Sequence, residues 1–366
     1  MPIEVWTTSD LDNVRNNLSG EYIQMADIDL SGWGNWTAIS SGFSGTYDGG
    51  NFSILNLTCS DLNTSFPFPG VGLFAYLNSA TLKNINIVNA NITGQRYTGV
   101  LAGFSLYSTI ENCRVEGSIN CLHSNAGGIL GGSDWDNITS CSSQVSITAS
   151  RYSVGGLVGL AYYINLSKCY SNFTIESSNI NFSECGGLVG GLHGAGSASN
   201  CYAKGSISVP ISNPFGIGGF AGYVTNMIIT NSYAATSLNF SSGFDPSYAS
   251  GFAYLGNGNT LNNCYYDSDV SGFSDTSGGV NPKTTAEMKD INTFLPEWDF
   301  ETIWGIDGIT NEGYPFLGAA VIKAINIWVN KVNQFRRTEG LPPKIGGKFM
   351  EYVNCWVKKG DRFYPV

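Results

Sequence analysis

The sequence has few charged residues. Asp, Glu, Lys and Arg make up 13% of the 366 residues, whereas 46 residues are glycine and 13% are aromatic. Disordered chains combine high charge with few aromatic residues, so this composition argues against disorder. It favours a stacked β architecture with many Gly, Asn and Ser turns. The net charge of −10 disfavours nucleic acid as a partner.

Several signals of membrane insertion and cofactor binding are also absent from the sequence. No run of 18 or so apolar residues predicts a membrane span. The start, Met-Pro-Ile-Glu, lacks the basic residues and apolar core of a signal peptide. No Cys-x-x-Cys pair indicates a zinc site, and no Gly-Lys-Ser or Gly-Lys-Thr indicates a phosphate loop. We therefore expect no cofactor.

A glycine-rich phrase recurs through the middle of the chain. Residues 155–159 are Gly-Gly-Leu-Val-Gly, and residues 186–190 are the same five. Aligned on the second glycine, seven copies recur at nearly even intervals, at Gly72, Gly99, Gly128, Gly156, Gly187, Gly219 and Gly251. A second marker follows about half a repeat later, at Ile85, Cys113, Cys141, Cys169, Cys201, Ser232 and Cys264. Asn precedes this marker in five copies. A fixed period of about 20 to 50 residues indicates a solenoid, propeller or array.

The repeats consist of strands. Apolar and polar residues alternate between the markers, as in residues 110–115, with Gly, Asn and Ser at the breaks. One repeat cannot bury a core alone, so the copies must stack. We predict an all-β fold, a right-handed parallel β-helix, in which Leu157 points into the core and Val158 to the opposite face. A propeller is the alternative, but its blades need about 40–45 residues.

The repeats divide the chain into four segments. Residues 1–44 are predicted to be an N-terminal cap and entry strands, with a short capping helix from Ser9, the expected cap, to Leu18. Residues 45–272 form the β-helix of about seven repeats. Residues 273–318 close its far end, with a helix capped by Thr284 or Thr285. Residues 319–366 form a small, basic, α-containing C-terminal module.

The order of motifs resembles the GLUG-motif proteins of bacterial surfaces and phages. The resemblance rests on Met-Ala-Asp-Ile-Asp-Leu at residues 25–30, Gly-Thr-Tyr-Asp-Gly at 45–49, the glycine phrases, Cys-Tyr-Tyr-Asp at 264–267 and Gly-Tyr-Pro-Phe-Leu at 313–317. It covers residues 1–318. The family implies a parallel β-helix, found in surface adhesins, peptidase passenger regions and tail-associated proteins. It implies no single activity.

The nine cysteines favour a packing role. Five fall in the marker column, where Ile85 and Ser232 replace cysteine in other copies. Free cysteine acts as a small buried apolar residue. We predict that the cysteines are unbridged, which fits folding in a reducing compartment.

Two acidic clusters are candidate sites. Asp134 and Asp136 flank Trp135, a conceivable acid pair beside a sugar-stacking ring, with Tyr162 and Tyr163 as further ligand-binding candidates. Glycoside hydrolysis needs two carboxyls at a set separation, which the sequence does not fix, and a solvated loop is favoured. Asp267, Asp269 and Asp275 could supply oxygens to Ca²⁺. An EF-hand glutamate is missing there, and ordinary turn chemistry is the better interpretation.

The C-terminal residues 319–366 differ in charge from the rest. They hold nine Lys and Arg against three acids, a charge of +6, so the remainder carries −16 of the total −10. Apolar residues from Val321 recur at helical spacing and predict an amphipathic helix. We expect this module to attach the protein to other virion or cell-surface proteins; the alternatives are a solvated helix face and a helix folded back on the end of the solenoid. The candidate attachment residues are Lys323, Trp328, Arg336, Arg337, Lys358 and Lys359.

These features favour a non-enzymatic structural or adhesive solenoid on a virion, as a phage tail or surface protein. The missing signal peptide and the unpaired cysteines fit cytoplasmic folding and release by lysis. A secreted bacterial or archaeal surface adhesin is one alternative. A polysaccharide-degrading β-helix enzyme is another. A host glycan or surface receptor and further copies of the chain are the remaining candidate partners.

Overall fold

The computed structural model describes residues 1–62, 70–177, 183–209, 215–241 and 245–318, and the backbone of strands Trp356–Lys359 and Arg362–Pro365. The chain divides into two compact units, Met1–Gly318 and Ala319–Val366. In the second unit the two described strands pair antiparallel. The helix predicted from Val321 lies outside the described residues. Among the helices of the described part, none is long and apolar enough to cross a membrane.

Parallel strands of the first unit form three sheets, so the predicted parallel β-helix is confirmed. Sheet 1 contains Ile3–Val5, Glu21–Gln24, Thr46–Asp48, Thr81–Lys83, Thr109–Glu111, Asn137–Thr139, Asn165–Ser167, Gly196–Ser199, Met227–Thr230 and Thr260–Asn262. Sheet 2 contains Ile28–Asp29, Ser53–Leu55, Thr58–Asp61, Asn86–Gly99, Arg114–Gly127, Ser142–Ala149, Tyr152–Gly155, Tyr170–Ser177, Ser183–Gly186, Tyr202–Val209, Phe215–Gly218, Tyr233–Phe240, Ala249–Ser250, Tyr265–Asp267 and Asn281–Lys283. Sheet 3 contains Phe74–Asn78, Ala102–Leu106, Leu130–Asp134, Val158–Tyr162, Val189–His193, Ala221–Val224 and Ala253–Leu255.

Each coil passes through sheets 1, 2 and 3 in turn. In one such coil, Thr109 pairs with Asn137 in sheet 1, and Leu130 pairs with Val158 in sheet 3. In both pairs the partner lies one full repeat further along the chain, so the period read from the sequence is one turn of the helix. Residues that point inwards therefore form columns of like side chains, and these columns make up one continuous apolar core.

The second marker lies in the turn from sheet 1 to sheet 2. The residue before it has φ between 48° and 55° at Asn84, Asn112, Ser140, Lys168, Asn200, Asn231 and Asn263. Asn tolerates this left-handed conformation better than most residues, which explains its recurrence. Cys201 Sγ donates to Ser199 O and accepts from Cys169 N. Ser232 Oγ likewise donates to Thr230 O and accepts from Cys201 N, so serine can replace cysteine there.

Each of the eight cysteines among the described residues is a free, buried thiol. Burial raises the pKa of the Cys59 thiol to about 11 and that of the Cys264 thiol to about 12. Both thiols therefore stay protonated at neutral pH. They behave as small apolar side chains with a weak hydrogen-bond donor, as a packing role requires.

The glycine phrase forms the turn from sheet 2 to sheet 3. Gly99 pairs with Gly127, which pairs in turn with Gly155, so Gly99 belongs with the first glycines of the phrase. Its predicted alignment with second glycines such as Gly156 is wrong by one position, because that copy has a single glycine in the turn. A Cβ on Gly156 would collide with the carbonyl oxygen of Gly187 in the next coil.

The third glycine of the phrase lets sheet 3 pack directly on the second strand segment of sheet 2. Leu157 and Val158 are both fully buried, so the predicted outward orientation of Val158 is wrong. Leu157 lies in the turn before the strand Val158–Tyr162, so the alternation of neighbouring strand residues does not apply to Leu157 and Val158. A Cβ on Gly159 would lie 2.7 Å from Ala126 N and would also collide with Gly131 O.

A helix at the N-terminus covers the start of the core, as predicted, but its first residue differs. Helix Thr8–Asn13 is capped by Thr7 in a capping box with Asp10, and a 3-10 turn, Val14–Asn16, follows it. The predicted cap, Ser9, lies inside the helix. Leu11 and Val14 are fully buried and belong to the main core.

Residues 273–318 only partly close the far end. Val280 joins the main core, and Asn281–Lys283 adds a last strand to sheet 2. Two short helices, Ser268–Ser271 and Thr285–Met288, follow strands of sheet 2, and Thr284 caps the second. Strands Trp304–Gly305 and Phe316–Leu317 pair antiparallel. The 3-10 turns of this part of the chain are Pro246–Tyr248, Ser277–Gly279, Ile291–Thr293 and Thr310–Gly313. The residues after 285 pack on the outer side of sheet 2 rather than over its end, since Trp298 and Trp304 form a second apolar cluster with Tyr202 and Tyr233.

Candidate functional site, an exposed aromatic face

The turn that follows each strand of sheet 3 contains one residue in the left-handed conformation. Its φ lies between 52° and 81° at Ser79, Tyr107, Trp135, Tyr163, Gly194, Asn226 and Gly258. Glycine and asparagine suit this conformation, whereas a bulky residue there is an outlier. Three consecutive coils nevertheless place an aromatic residue at this position. We call Tyr107, Trp135 and Tyr163 the aromatic column.

The rings of the aromatic column stack on one another. The ring centroids of Trp135 and Tyr163 are 4.2 Å apart, and the planes are inclined by 11°. Those of Tyr107 and Trp135 are 6.3 Å apart and inclined by 28°. Tyr107 is 59% exposed, Trp135 49% and Tyr163 37%. The faces of neighbouring rings therefore cover each other, and the column presents the edges of its rings to solvent along three coils.

Left-handed backbone at a non-glycine residue costs about 1–3 kcal/mol, and such strain persists where the surroundings hold it. Here the turns are held by hydrogen bonds between coils. The amide of Tyr107 donates to Asp134 O, that of Trp135 to Tyr162 O, and that of Tyr163 to His193 O. The fold therefore requires the left-handed backbone but not the aromatic rings, since glycine or asparagine serves in other coils.

Asp136 fixes the turn that presents Trp135. Its side chain is fully buried. Its carboxylate accepts hydrogen bonds from the amide of Ser108 at 2.7 Å and from Ser133 Oγ at 2.6 Å. Burial raises the pKa of the Asp136 carboxyl to about 6. The structure thus gives Asp136 a supporting position beneath the aromatic column.

Asp134, the other member of the proposed acid pair, ends its sheet 3 strand and is half-buried. Burial also raises its pKa. Asp136 is fully buried whereas Asp134 is half-buried, so the two carboxyls differ in solvent access. Their proposed role as catalysts stays a prediction.

Further aromatic residues surround the column on the outer side of sheet 3. Tyr162, the second candidate from the sequence, stacks on His193 with centroids 5.1 Å apart. Tyr76 and Phe104 pair on neighbouring coils at one end, and Tyr223 and Tyr254 at the other. We call the whole surface the aromatic face; it comprises Tyr76, Tyr97, Phe104, Tyr107, Trp135, Tyr162, Tyr163, His193, Phe215, Tyr223 and Tyr254.

A polar cluster lies within the aromatic face. Ser153 Oγ donates to Glu184 Oε2 at 2.5 Å, and His193 Nε2 lies 3.5 Å from Glu184 Oε1. Gly191 leaves room for both Glu184 and His193, because a Cβ there would lie within 2.8 Å of each side chain. Burial alone would raise the pKa of Glu184, but hydrogen bonds from His193 and Ser153 hold it below its usual value. Glutamate is central here, so the order is not that of a Ser-His-Asp triad.

The strands of sheet 3 carry acidic charge but no basic charge. The seven strands of sheet 3 and the left-handed residues that follow them contain no lysine or arginine. Asp134 lies in one of these strands, and Glu184 reaches over another. Arg96 lies next to Tyr97 in sheet 2, so the aromatic face has basic as well as acidic neighbours.

The three aspartates considered as calcium ligands accept hydrogen bonds from other residues of the protein. Asp267 accepts from Val270 N and from the hydroxyls of Thr285 and Tyr314. Asp269 accepts from Thr285 N. Asp275 accepts from Ser250 Oγ and Gly251 N. Within the described ranges no group of three or more His, Cys, Asp or Glu side chains could hold a metal ion.

The attachment candidates fall mostly outside the described residues. Lys358 and Lys359 lie on the strand Trp356–Lys359, opposite Arg362–Pro365. Lys323, Trp328, Arg336 and Arg337 lie outside the described residues. Their attachment role stays a prediction.

Fold and site together define a parallel β-helix with an exposed aromatic face. The model of the GLUG motif matches residues 94–120, and the same phrase recurs through the coils. The β-helix therefore carries the GLUG motif, as the resemblance implied.

Two curated relatives share part of the sequence. A predicted Gly-rich membrane protein of Evansella cellulosilytica is 37% identical over 125 residues, which is 32% of this chain and 13% of that protein. Halomucin of Haloquadratum walsbyi is 30% identical over 145 residues, which is 35% of this chain and 2% of that protein. The chain thus spans a small part of the length of these relatives.

Two solved structures share the fold. A predicted immunoglobulin A1 protease of Bacteroides ovatus superimposes with a TM-score of 0.54 at 21% identity, covering 87% of this chain and 92% of that one. A second structure, named IgA1 protease, gives a TM-score of 0.55 at 21% identity and covers 72% of this chain and 21% of that one. At this identity the likeness shows the fold alone.

Sequence reasoning found Trp135, Tyr162 and Tyr163 but missed Tyr107 and the outer residues of sheet 3. Tyr107 lies one repeat before Trp135, so alignment of the turns after each glycine phrase would have placed it in the same column. The distant partners, such as Tyr97 and Glu184, come from sheet 2 and carry no spacing signal that relates them to sheet 3.

Proposed function

We propose that the protein is a non-enzymatic adhesive β-helix displayed at a surface, with the aromatic face as its binding surface. The observation that carries this proposal is the aromatic column. Three stacked, exposed rings occupy strained positions that glycine or asparagine fills elsewhere in the same protein. Strained residues that the fold itself does not require point to a function.

The relatives support a surface location. One is named a membrane protein, and the other carries the name Halomucin. We propose display on a cell surface or a virion; the phage tail or virion role inferred from the sequence is the finer form of this proposal. Immunogold labelling of producing cells and of released particles distinguishes the two locations.

Residues 319–366 would serve as the attachment module. Deletion of this segment should leave the first unit folded, because Met1–Gly318 is compact by itself, while the protein leaves the cell or particle surface for the soluble fraction. The measurement is immunodetection in the two fractions, with circular dichroism to confirm the β-rich fold. A matched variant with Lys358→Ala and Lys359→Ala tests the contribution of two described strand positions. Full retention of the truncated protein at the surface would refute the attachment role.

The names of the structural neighbours keep an enzymatic role as the second candidate. That likeness is limited to the fold. The acid pair singled out in the sequence, Asp134 and Asp136, includes one carboxyl that is enclosed and hydrogen-bonded beneath the aromatic column. These contacts support a binding face over a catalytic one.

A further inference from the structure

We infer that Arg96, His123 and Arg151 form a binding site for the carboxylates of an acidic polysaccharide. We call these three residues the basic patch. The patch lies beside the aromatic face, because Arg96 is adjacent to Tyr97 in sheet 2. This site rests on the proposed adhesive function and adds to it a ligand class and a second contact region.

The three residues of the basic patch occupy the same bend of sheet 2 in consecutive coils. Cys121 pairs with Gly94 in the coil before it and with Ala149 in the coil after it. Each residue of the patch follows two positions after one of these paired residues. Both arginines are exposed, and His123, in the middle coil, is half-buried.

The three groups are close enough to influence one another. Burial and the positive charges of both arginines lower the pKa of His123. His123 is therefore neutral at pH 7 and can donate or accept a hydrogen bond, whereas the two guanidinium groups stay charged. The patch thus carries two fixed positive charges, two coils apart.

Neither arginine of the patch forms an ion pair with a carboxylate of the described residues. Arg15 and Arg114, the other arginines whose side chains are described, pair with Asp12 and Glu116. Glu184, one coil further along, is turned towards the side chains of the polar cluster instead. The residues before 319 carry a charge of −16 in total, so the patch is a positive area on an acidic unit. Such an area attracts anionic groups.

The number and spacing of the charges favour a sparsely charged polymer. Successive coils are about 4.8 Å apart, so the backbones of the two arginines lie about 9.6 Å apart. A polysaccharide with a carboxylate on every second sugar carries its charges at a comparable distance. The guanidinium group binds a carboxylate through two parallel hydrogen bonds. A nucleic acid would need basic residues along its whole path and would meet the acidic unit around the patch.

Uncharged contacts are available beside the two charges. Leu122 precedes His123 and is 41% exposed, and Tyr152 follows Arg151 and is 45% exposed. Tyrosine offers both an apolar body and a hydroxyl. The patch therefore combines two cations with groups that suit the uncharged sugars between the carboxylates.

The test compares three forms of the full-length protein. Arg96→Gln with Arg151→Gln removes both charges of the patch at exposed positions, so this double variant should fold like the wild type. The control combines Arg114→Gln and Lys168→Gln, which removes the same charge at two exposed positions outside the patch. Thermal melts followed by circular dichroism verify that all three forms are folded.

Affinity is measured by calorimetry with hyaluronate, polygalacturonate, uncharged dextran, single-stranded DNA and polyglutamate. We expect at least one of the two acidic polysaccharides to bind, with affinity reduced by about tenfold or more in the double variant and unchanged in the control. Dextran should show no binding that depends on the two arginines. Equal affinity of the double variant and the wild type for the acidic polysaccharides would overturn the inference.

Nuclear magnetic resonance of the histidines locates the bound polymer, because the sequence contains two histidines, His123 and His193. A carboxylate bound between the arginines should raise the pKa of His123 from its value in the free protein, since an opposite charge favours the protonated ring. His193 is the internal comparison and should respond less. An unchanged pKa of His123 at saturating polymer would place the polymer elsewhere on the chain and overturn the inference.

The remaining outcomes separate this site from the proposed function. Tighter arginine-dependent binding of DNA or polyglutamate than of either acidic polysaccharide would assign the patch to another class of ligand and overturn the inference. Failure of both acidic polysaccharides to bind, while the protein adheres to cells, would exclude the ligand class and leave the adhesive function standing. Arginine-dependent binding by a protein that adheres to no cell would support the basic patch and contradict the adhesive function.

Discussion

Gly159→Ala should lower the free energy of unfolding by about 3 kcal/mol, because overpacking where backbone cannot move is among the costlier substitutions. The added Cβ would lie 2.7 Å from Ala126 N and 2.9 Å from Ala126 O, and would collide with Gly131 O. These atoms belong to two different sheets, and both are held by hydrogen bonds between coils. Neither backbone can withdraw without breaking its pairing.

Gly32→Ala is the matched control for Gly159→Ala. A Cβ on Gly32 would meet no atom within 4 Å. Both substitutions reduce the freedom of the unfolded chain similarly, so their difference isolates the collision. Urea denaturation followed by circular dichroism should give a lower midpoint for Gly159→Ala and a midpoint near wild type for Gly32→Ala. Equal midpoints would show that the close packing of sheets 2 and 3 is not required.

Asp136→Asn should make the protein more stable at pH 8 relative to the wild type, and the gain should vanish near pH 4. Burial raises the folded-state pKa of Asp136 from its ordinary value of 3.8 to about 6. The folded protein then holds a proton that the unfolded chain has lost. Stability from this group is complete below the ordinary value and falls as pH rises through 6, by about 3 kcal/mol in all.

Asparagine removes this dependence and retains the hydrogen bonds. Its side-chain oxygen can accept from Ser108 N, and its amide can donate to Ser133 Oγ. Denaturation midpoints of wild type and variant, measured from pH 4 to pH 8, give the difference directly. Asp245→Asn is the control of opposite sign, because hydrogen bonds from Ser247 lower the pKa of Asp245. A difference between Asp136→Asn and wild type that does not change with pH would contradict a buried, protonated Asp136.

The β-helix could be predicted from the sequence because the even spacing of the two markers is visible in a single chain. Two markers about half a repeat apart define the two turns, and the Asn before the second marker reflects a left-handed backbone. Gly99 was misaligned because its copy has a single glycine in the turn, and the sequence does not show whether that glycine is the first or the second of the phrase. The burial of Val158 was missed because the alternation rule holds along strands and Leu157 lies in a turn.

The binding face was only partly predictable. Trp135, Tyr162 and Tyr163 stand out as aromatic residues beside turns, but their stacking depends on the register between coils. Burial of Asp136 depends on Ser108 and Ser133, which come from a neighbouring turn and from the end of the preceding strand. Sequence alone also suggested closure of the far end by residues 273–318, whereas the aromatic residues there pack on the outside of sheet 2.

If the aromatic column is the binding surface, adhesion of the protein to cells depends on its three rings. Microspheres coated with the full-length chain, a triple variant or a control are counted on a panel of intact bacterial and eukaryotic cells. The triple variant replaces Tyr107, Trp135 and Tyr163 with asparagine, and the control combines Trp6→Ala and Phe52→Ala, two exposed rings outside the aromatic face. We expect wild type and control to adhere to at least one cell type and the triple variant to lose most of this adhesion. Equal adhesion of the triple variant, or no adhesion of the wild type to any cell, would contradict this role of the aromatic column.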